Sequence, residues 1–382
     1  MMYMEKNMFF DNASTTKIDE SILDQFKDLN DELFYNPGAL YAGGRRVKQF
    51  IENFRSEILK TLNGSGKIVF TGSATEANNL AILGCLKKNT KKILVSIGEH
   101  PSVYETALEI KNRGFNVEFV KLNRRGTVDI DDFKAKMTED VDFISILHVS
   151  NETGAVNDIR CLVEYAKEIN PKVVFHSDGV QAVGKVEVDL EDLGVDLYTM
   201  SSHKIHGMKG SGALFVKSGV ALKPIVYGGG QEFGLRSGTE NVLTIYSLTK
   251  AIENSCKNLS QNFANVSLLK TGFLEKLSDS GLDYVLHSDE LCSPYIISIA
   301  FKNCRAETLL NMLSDKNVFV GNGSACSSKK SGNRILESMG VAKTNIEGNL
   351  RISFSRCNTI DEVCKLCFAL IDVVTEYLNN TK

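Results

Sequence analysis

Between residues 67 and 217, short and almost wholly apolar runs alternate with longer segments whose apolar residues recur at helical spacing. The runs are KIVFT, KKILVSI, NVEFVKL, DFISILHV, KVVFHSD, DLYTMSS and GALFVK, and the helical segments between the first five are TEANNLAILGCLKK, PSVYETALEIKNRG, DIDDFKAKM and DIRCLVEYAKEIN. Strands apolar on both faces that alternate with helices predict a mostly parallel sheet covered on either side. Ahead of them, Val47, Phe50, Ile51, Phe54, Ile58 and Leu62 mark an amphipathic helix that should pack on that sheet. The segment TENVLTIYSLTKAIENSCKNLSQN predicts one helix from near residue 239, bridging to a second unit. There the pattern becomes α+β over roughly 120 residues: a helix, YIISIAF, RAETLLNMLSDKN, VFVGNGSAC, a short helix around RILESMG, NLRISFS and a last helix from Thr359. The expected boundary lies near residue 258.

Composition narrows the class. The 382 residues are 43% hydrophobic and 24% charged, without linker, charge block or repeat, as expected of an enzyme-sized globular fold. A net charge of −3 supplies no basic field for a nucleic-acid backbone, so no direct nucleic-acid partner is expected. No run approaches the roughly 18 apolar residues of a membrane span, and MMYMEKNMFFD lacks the features of a signal peptide, so the expectation is a cytoplasmic protein without a membrane partner. The 9 cysteines are scattered. Cys364 and Cys367 have metal-type spacing, but they fall inside the apolar pattern Val363, Leu366, Phe368, Leu370, Val373 of the last helix, which points to core packing and no intrinsic metal site.

In open α/β sheets ligands bind beyond the carboxyl ends of the strands. There this chain places GSATEAN, GEH, SNETG, HSDGVQ and SSHK. Gly72-Ser73-Ala74-Thr75 opening a helix offers free N–H groups and a hydroxyl at a positive helix end, a phosphate cradle with neither the dinucleotide nor the P-loop glycine spacing. Asp178 either caps a helix or pairs with a cationic ring nitrogen. His100, between Gly98 and Pro101, is expected at a loop edge where a flat ring can stack on a cofactor. Lys204, in SSHKIHGMKG, sits either in a polar turn or in a site. With a phosphate cradle and a carboxylate beside it, the lysine suits pyridoxal phosphate (PLP): it forms the Schiff base while the carboxylate keeps the ring an electron sink. The flanking histidines and hydroxyls are then expected to serve that cofactor. Cys326, in GNGSACSSKKSGN, stands among small residues near Lys329 and Lys330, which favour a thiolate.

The stretches FDNASTTK, NPGALYAGGRR, TGSATEANN, GEHPSV, HVSNETGAV, HSDGVQAVGK, SSHKIHGMKG, GGGQEFGLRSGTEN, GSACSS and LRISFS resemble the cysteine desulfurases, class V of the aminotransferase-like PLP enzymes, from the start to about residue 370. The resemblance implies an α/β PLP-dependent transferase of fold type I. A large PLP-binding domain on a mostly parallel seven-stranded sheet would span 16–258, and a smaller α+β domain would combine 1–15 with 259–382. It implies a homodimer that takes sulfur from L-cysteine, leaving L-alanine and a persulfide on Cys326. It also implies Lys204 as the Schiff-base lysine, His100 stacked on the ring, Asp178 on the pyridine nitrogen and Gln181 on the phenolic oxygen. Ala74, Thr75, Ser201 and His203 would hold the phosphate with Thr239 of the partner subunit, and Asn151 and Arg351 the substrate carboxylate. The GSAC branch hands sulfur to acceptors such as an iron–sulfur scaffold or a tRNA-thiolating enzyme, with Cys326 able to contact a nascent cluster. A selenocysteine lyase or other β-eliminating PLP lyase is the alternative on the same scaffold. Tyr41, Met208 and Asn157 depart from the family pattern and bear on local loop geometry.

Overall fold

The computed structural model describes residues 7–322 and 333–381. Its strands among those residues are β1 Met8–Phe10, β2 Gly66–Thr71, β3 Lys92–Ser96, β4 Val117–Val120, β5 Val141–Ser145, β6 Val174–Asp178, β7 Leu197–Ser201, β8 Gly212–Lys217, β9 Tyr284–Leu286, β10 Ile296–Phe301, β11 Val318–Val320 and β12 Asn349–Ser353. Each of the seven apolar runs in the first half forms a strand, and together they make one sheet in the order β2-β8-β7-β6-β5-β3-β4. Pairings from β7 through β4 are parallel, and only β8 runs against its neighbours β2 and β7.

Two layers of buried side chains cover the sheet. On one face Val47, Ile51 and Ile58 of the helix Ala42–Thr61 pack with Leu248 and Ile252 of the helix Val242–Lys257. On the other, Leu80 of the helix Ala74–Cys85 and Val103 of the helix Pro101–Asn112 meet Val69, Ile93 and Leu214. A third core forms around the antiparallel strands β12-β10-β9, with Phe273, Leu309 and Leu366 from the helices Leu259–Ser278, Ala306–Asp315 and Ile360–Asn380. β1 enters this layer beside β11 in parallel, and the Phe10 ring meets Phe354 edge-on at 6.0 Å.

Three readings change in the structure. The helix expected over TENVLTIYSLTKAIENSCKNLSQN ends early, at Lys257, and the helix that follows it begins at Leu259, the two divided where Asn258 leaves helical geometry at φ −107° and ψ 18°. The start of the first moves to Asn241, whose side chain caps the Thr244 N–H, as short amides prefer caps to helix interiors. Phe368 is 68% exposed. It lies off the stripe of Val363, Leu366, Leu370 and Val373, which follows helical spacing. Cys367 is buried with its Sγ 3.7 Å from the Phe273 carbonyl, and no metal-binding cluster occurs among the described residues.

Candidate active site

The carboxyl ends of the parallel strands open onto a cavity of about 430 Å³. β8 sets one side of the cavity indirectly, through the turn that lies on it. Gly212 carries no side chain because an added Cβ would come within 2.5 Å of the Ser73 backbone, so only glycine lets the turn before the helix Ala74–Cys85 lie on this strand. Ser73 caps the helix by accepting from Glu76 N–H at 3.1 Å, and Gly72 N–H bonds to Glu76 Oε2 at 2.7 Å. The N–H groups of Ala74 and Thr75 therefore open the first turn toward the cavity, which both residues line.

Asp178 ends β6. Its Oδ1 accepts from Val180 N–H at 3.0 Å and its Oδ2 from Asn78 Nδ2 at 2.8 Å, so it serves its own turn and also presents a carboxylate to the cavity. Asn78 Nδ2 donates in addition to Ser102 Oγ at 2.8 Å, and Ser102 Oγ lies 2.8 Å from His100 Nδ1. His100 caps the helix Pro101–Asn112 by accepting from Ser102 N–H at 3.1 Å. A backbone N–H only donates, so Nδ1 is the acceptor and the ring proton resides on Nε2. Lost solvation pulls the His100 pKa down, and Lys204, Arg334 and Arg351 add to this against the opposing pull of Asp178. The imidazole is neutral at neutral pH.

Lys204 follows β7. Its Nζ donates to the Ala13 and Ser14 carbonyls at 2.8 and 2.6 Å. Burial first, then Arg351, lowers its pKa to about 8, with Asp11 and Asp178 opposing. Burial and the nearby lysines depress His203 to about 4, and its Nδ1 lies 3.1 Å from Thr15 Oγ1. His206 does not join its neighbours in the cavity. It takes φ 68° and bonds to the Lys17 carbonyl at 3.0 Å, so of the two histidines flanking Lys204 only His203 faces the cavity.

Arg351 of β12 reaches across from the second core. Its Nη2 bonds to Asp11 Oδ1 at 2.8 Å and its Nη1 to the Asn151 carbonyl at 3.0 Å. Gly321 permits this, since a Cβ there would lie 2.6 Å from Asp11 Oδ1 and 3.0 Å from the guanidinium. The cavity thus gathers Ala74, Thr75, His100, Asn151, Asp178, Gln181, Ser201, His203, Lys204 and Arg351. Thr239 is exposed and does not line the cavity of its own chain, and Cys326, with Lys329 and Lys330, lies outside the described residues.

Other residues enter without a role read from the sequence. Ala13 and Ser14 seat Lys204, and Asn78 links Asp178 to Ser102. Arg334 stacks 3.7 Å over the Tyr104 ring and donates to the carbonyls of Ile97 and Glu99. Glu99 is fully buried, and burial followed by Asp178 raises its pKa well above the usual carboxylate range. Asn157 fills its departure position by bonding Val128 N–H and the Leu147 carbonyl, both at 2.8 Å. Met208 N–H bonds Ser247 Oγ at 2.8 Å, and Tyr41 packs edge-on to Tyr35.

The donor set fits PLP. It offers N–H groups for a phosphate, a carboxylate for a ring nitrogen and an amine of lowered pKa. The buried atoms Asn78 Oδ1, Ser202 Oγ and Arg351 Nε have no hydrogen-bond partner among the described residues. Such a site, at the strand ends of this sheet, defines a PLP enzyme of the aminotransferase class. The family model Aminotransferase class-V matches residues 8–366. Cysteine desulfurase IscS 1 of Archaeoglobus fulgidus is 35% identical over 371 residues, covering 96% of each chain, and cysteine desulfurase IscS of Clostridium botulinum is 32% identical over 368 residues, covering 94% of this chain and 92% of its own. Among solved structures, a NifS-like protein superposes with TM-score 0.91 at 30% identity over 97% of this chain and 100% of its own; another from Rickettsia africae gives 0.86 at 29% over 97% and 100%. The chain belongs to the cysteine desulfurases, PLP-dependent enzymes that take sulfur from L-cysteine. The lyase alternative is not favoured, and no helix among the described residues is long and apolar enough to cross a membrane.

Proposed function

We propose that Lys204 carries PLP, that Asp178 pairs with the ring nitrogen and that Cys326 accepts the sulfur of L-cysteine. The observation that carries this is one cavity in which a lysine of pKa about 8 and a strand-end carboxylate converge with helix N–H groups. Bound PLP supplies an electron sink that makes the bonds around the substrate's α-carbon labile. Ala74, Thr75, Ser201 and His203 hold the phosphate, and Gln181 donates to the phenolic oxygen. Neutral His100 stacks on the ring and holds a proton on Nε2. Arg351, aided by Asn151, binds the substrate carboxylate and thereby orients its sulfur. The Cys326 thiolate attacks that sulfur, forming the S–S bond of a persulfide as the carbon–sulfur bond breaks; the electron pair of the broken bond stays with the substrate carbon, which takes up a proton, and alanine leaves.

The persulfide then passes to a protein acceptor, of which an iron–sulfur scaffold or a tRNA-thiolating enzyme is the proposed kind. The working unit is a cytoplasmic homodimer in which Thr239 completes the partner's phosphate site. Residues 16–258 form the large domain, and 1–15 with 259–382 the small one. This division is supported by the cores: one runs from Ile22 to Ile252, while another joins Phe10 and Ala13 to residues between Val266 and Val374. The test is an alanine assay with L-cysteine and a reducing thiol, run beside an absorption spectrum, on wild type and Cys326→Ala. A visible band that changes on adding cysteine, with alanine formed only when Cys326 is present, is the expected result. Alanine formed at the wild-type rate without Cys326 would defeat the assignment.

A further inference from the structure

Gln181 and Lys185 lie four residues apart in the turn after β6, where the Ala182 and Val183 N–H groups bond to the Gly179 carbonyl at 2.9 and 3.0 Å. Both side chains are buried. The two ends of a glutamine amide have nearly the same shape, so only hydrogen-bond partners decide which end faces where. Here both partners work in one direction. The Ala13 carbonyl can only accept, and it takes Gln181 Nε2–H at 2.9 Å. Lys185 Nζ carries N–H groups whether or not it is charged and donates one to Gln181 Oε1 at 2.5 Å, and in its ammonium form it has no lone pair with which to accept instead. A flipped amide would set oxygen against carbonyl and NH₂ against ammonium. The second Nε2 hydrogen is left for an acceptor in the cavity, which Gln181 lines.

Lys185 has no carboxylate partner among the described residues. The groups that face it are Lys204, Arg351, His203 and His206, together with the Tyr295 ring at 5.9 Å. Burial, then Lys204 and Arg351, lowers its pKa to about 7. A buried cation among cations is costly, and a methionine would fill the same space without that cost. Packing therefore does not account for a lysine here, whereas a donor aimed at Gln181 does.

We propose that Lys185 is a positioning residue: it turns the Gln181 amide so that an N–H, and not the amide oxygen, faces the phenolic oxygen of PLP. The inference rests on the PLP site described above. An N–H donated to that oxygen draws electron density from it and loosens its hold on the proton of the Lys204 nitrogen. Losing the donor therefore raises the pH at which the visible band titrates.

The experiment is a pH titration of that band in the wild-type holoenzyme and in the Lys185→Met, Lys185→Arg, Gln181→Ala and Lys185→Met/Gln181→Ala variants. The expected result is a midpoint raised by up to about one pH unit in Lys185→Met and in Gln181→Ala. The double variant should shift no further than the larger single shift, because both act on one hydrogen bond. Lys185→Arg, still a donor-only cation, should titrate with wild type, and it decides the matter if the methionine variant does not fold. The inference is overturned if Gln181→Ala moves the midpoint and Lys185→Met does not, if the two shifts add, or if Lys185→Arg shifts as far as Gln181→Ala. A wild type without a titrating visible band, or a Gln181→Ala variant that titrates with wild type, would instead defeat the underlying reading of the site.

Discussion

Two carboxyl groups close to each other in the cavity have opposite surroundings. Asp178 Oδ2 is bonded by Asn78, and the group faces Lys204 and His100, whose electrostatics it influences. Glu99 has Leu147 N–H on Oε1, no hydrogen-bond partner on Oε2 among the described residues, and a pKa raised by burial and by Asp178. Burial thus pushes Glu99 toward its neutral form, whereas Asp178 has both oxygens hydrogen-bonded at the cavity. An amide mimics a neutral acid and cannot mimic a carboxylate. Glu99→Gln should keep cofactor binding and stay within about 0.5 kcal/mol of wild-type stability, whereas Asp178→Asn should lose roughly 10²-fold or more in turnover. Alanine formation and urea unfolding on both variants would check this, and an inactive Glu99→Gln would assign Glu99 a charged role.

At the level of elements, legibility followed length. Runs of five or more residues with an unbroken apolar centre, such as KIVFT and KVVFHSD, became strands because their burial on both faces left a continuous signal. The strands Met8–Phe10 and Tyr284–Leu286, three residues each, carry too few positions for a period to show, and their existence depends on partners hundreds of residues away or across a sheet edge. The same holds in the site. Strand-end placement pointed to Asp178 and Lys204, but the seat of Lys204 on the Ala13 and Ser14 carbonyls comes from a segment far off in sequence, and Arg334 enters from another element altogether. No local pattern encodes such meetings.

One long-range anchor has a measurable value. Arg55 of the helix Ala42–Thr61 grips Glu232 with two bonds of 2.7 Å, and its guanidinium lies between the Phe70 and Phe233 rings at 4.7 and 4.8 Å. Both partners are buried, and Glu232 and Phe233 hold φ of 50° and 61° in the segment leading to Thr239. Arg55→Ala leaves an uncompensated carboxylate and should cost about 3–5 kcal/mol, read from denaturant unfolding. Thr359→Ala, which removes one half of the Thr359–Glu362 capping box, should cost about 1 kcal/mol by the same assay.

Over the whole molecule, the buried histidines link stability to pH. Burial lowers His148, His203 and His206 to about 4 and His176 to about 3. An unfolded chain returns each to about 6.5, so below that pH the unfolded state binds more protons and stability falls. The contribution is complete above about 6.5 and is lost as pH drops toward about 4, with His176 carrying the loss on to about 3. Urea midpoints should therefore fall steadily over that window, and His148→Gln should make the decline shallower.

Thr239 raises the question of how many chains make one site. It is exposed, and it does not line the cavity of the chain that carries it, while the phosphate cradle of that cavity is open at Ala74 and Thr75. If the proposed dimer shares its sites, a Thr239→Ala subunit has an intact Lys204 but receives no hydroxyl from an identical partner. A Lys204→Ala subunit cannot carry the cofactor yet still offers Thr239. Mixing the two and allowing subunits to exchange creates, in each mixed dimer, one site with Lys204 from one chain and Thr239 from the other. At limiting PLP the mixture should bind cofactor more tightly than the Thr239→Ala dimer alone, and alanine production should rise accordingly. A mixture whose affinity is the average of its two parents would mean that each chain completes its own phosphate site, and the exposed Thr239 would then have no part in holding the cofactor.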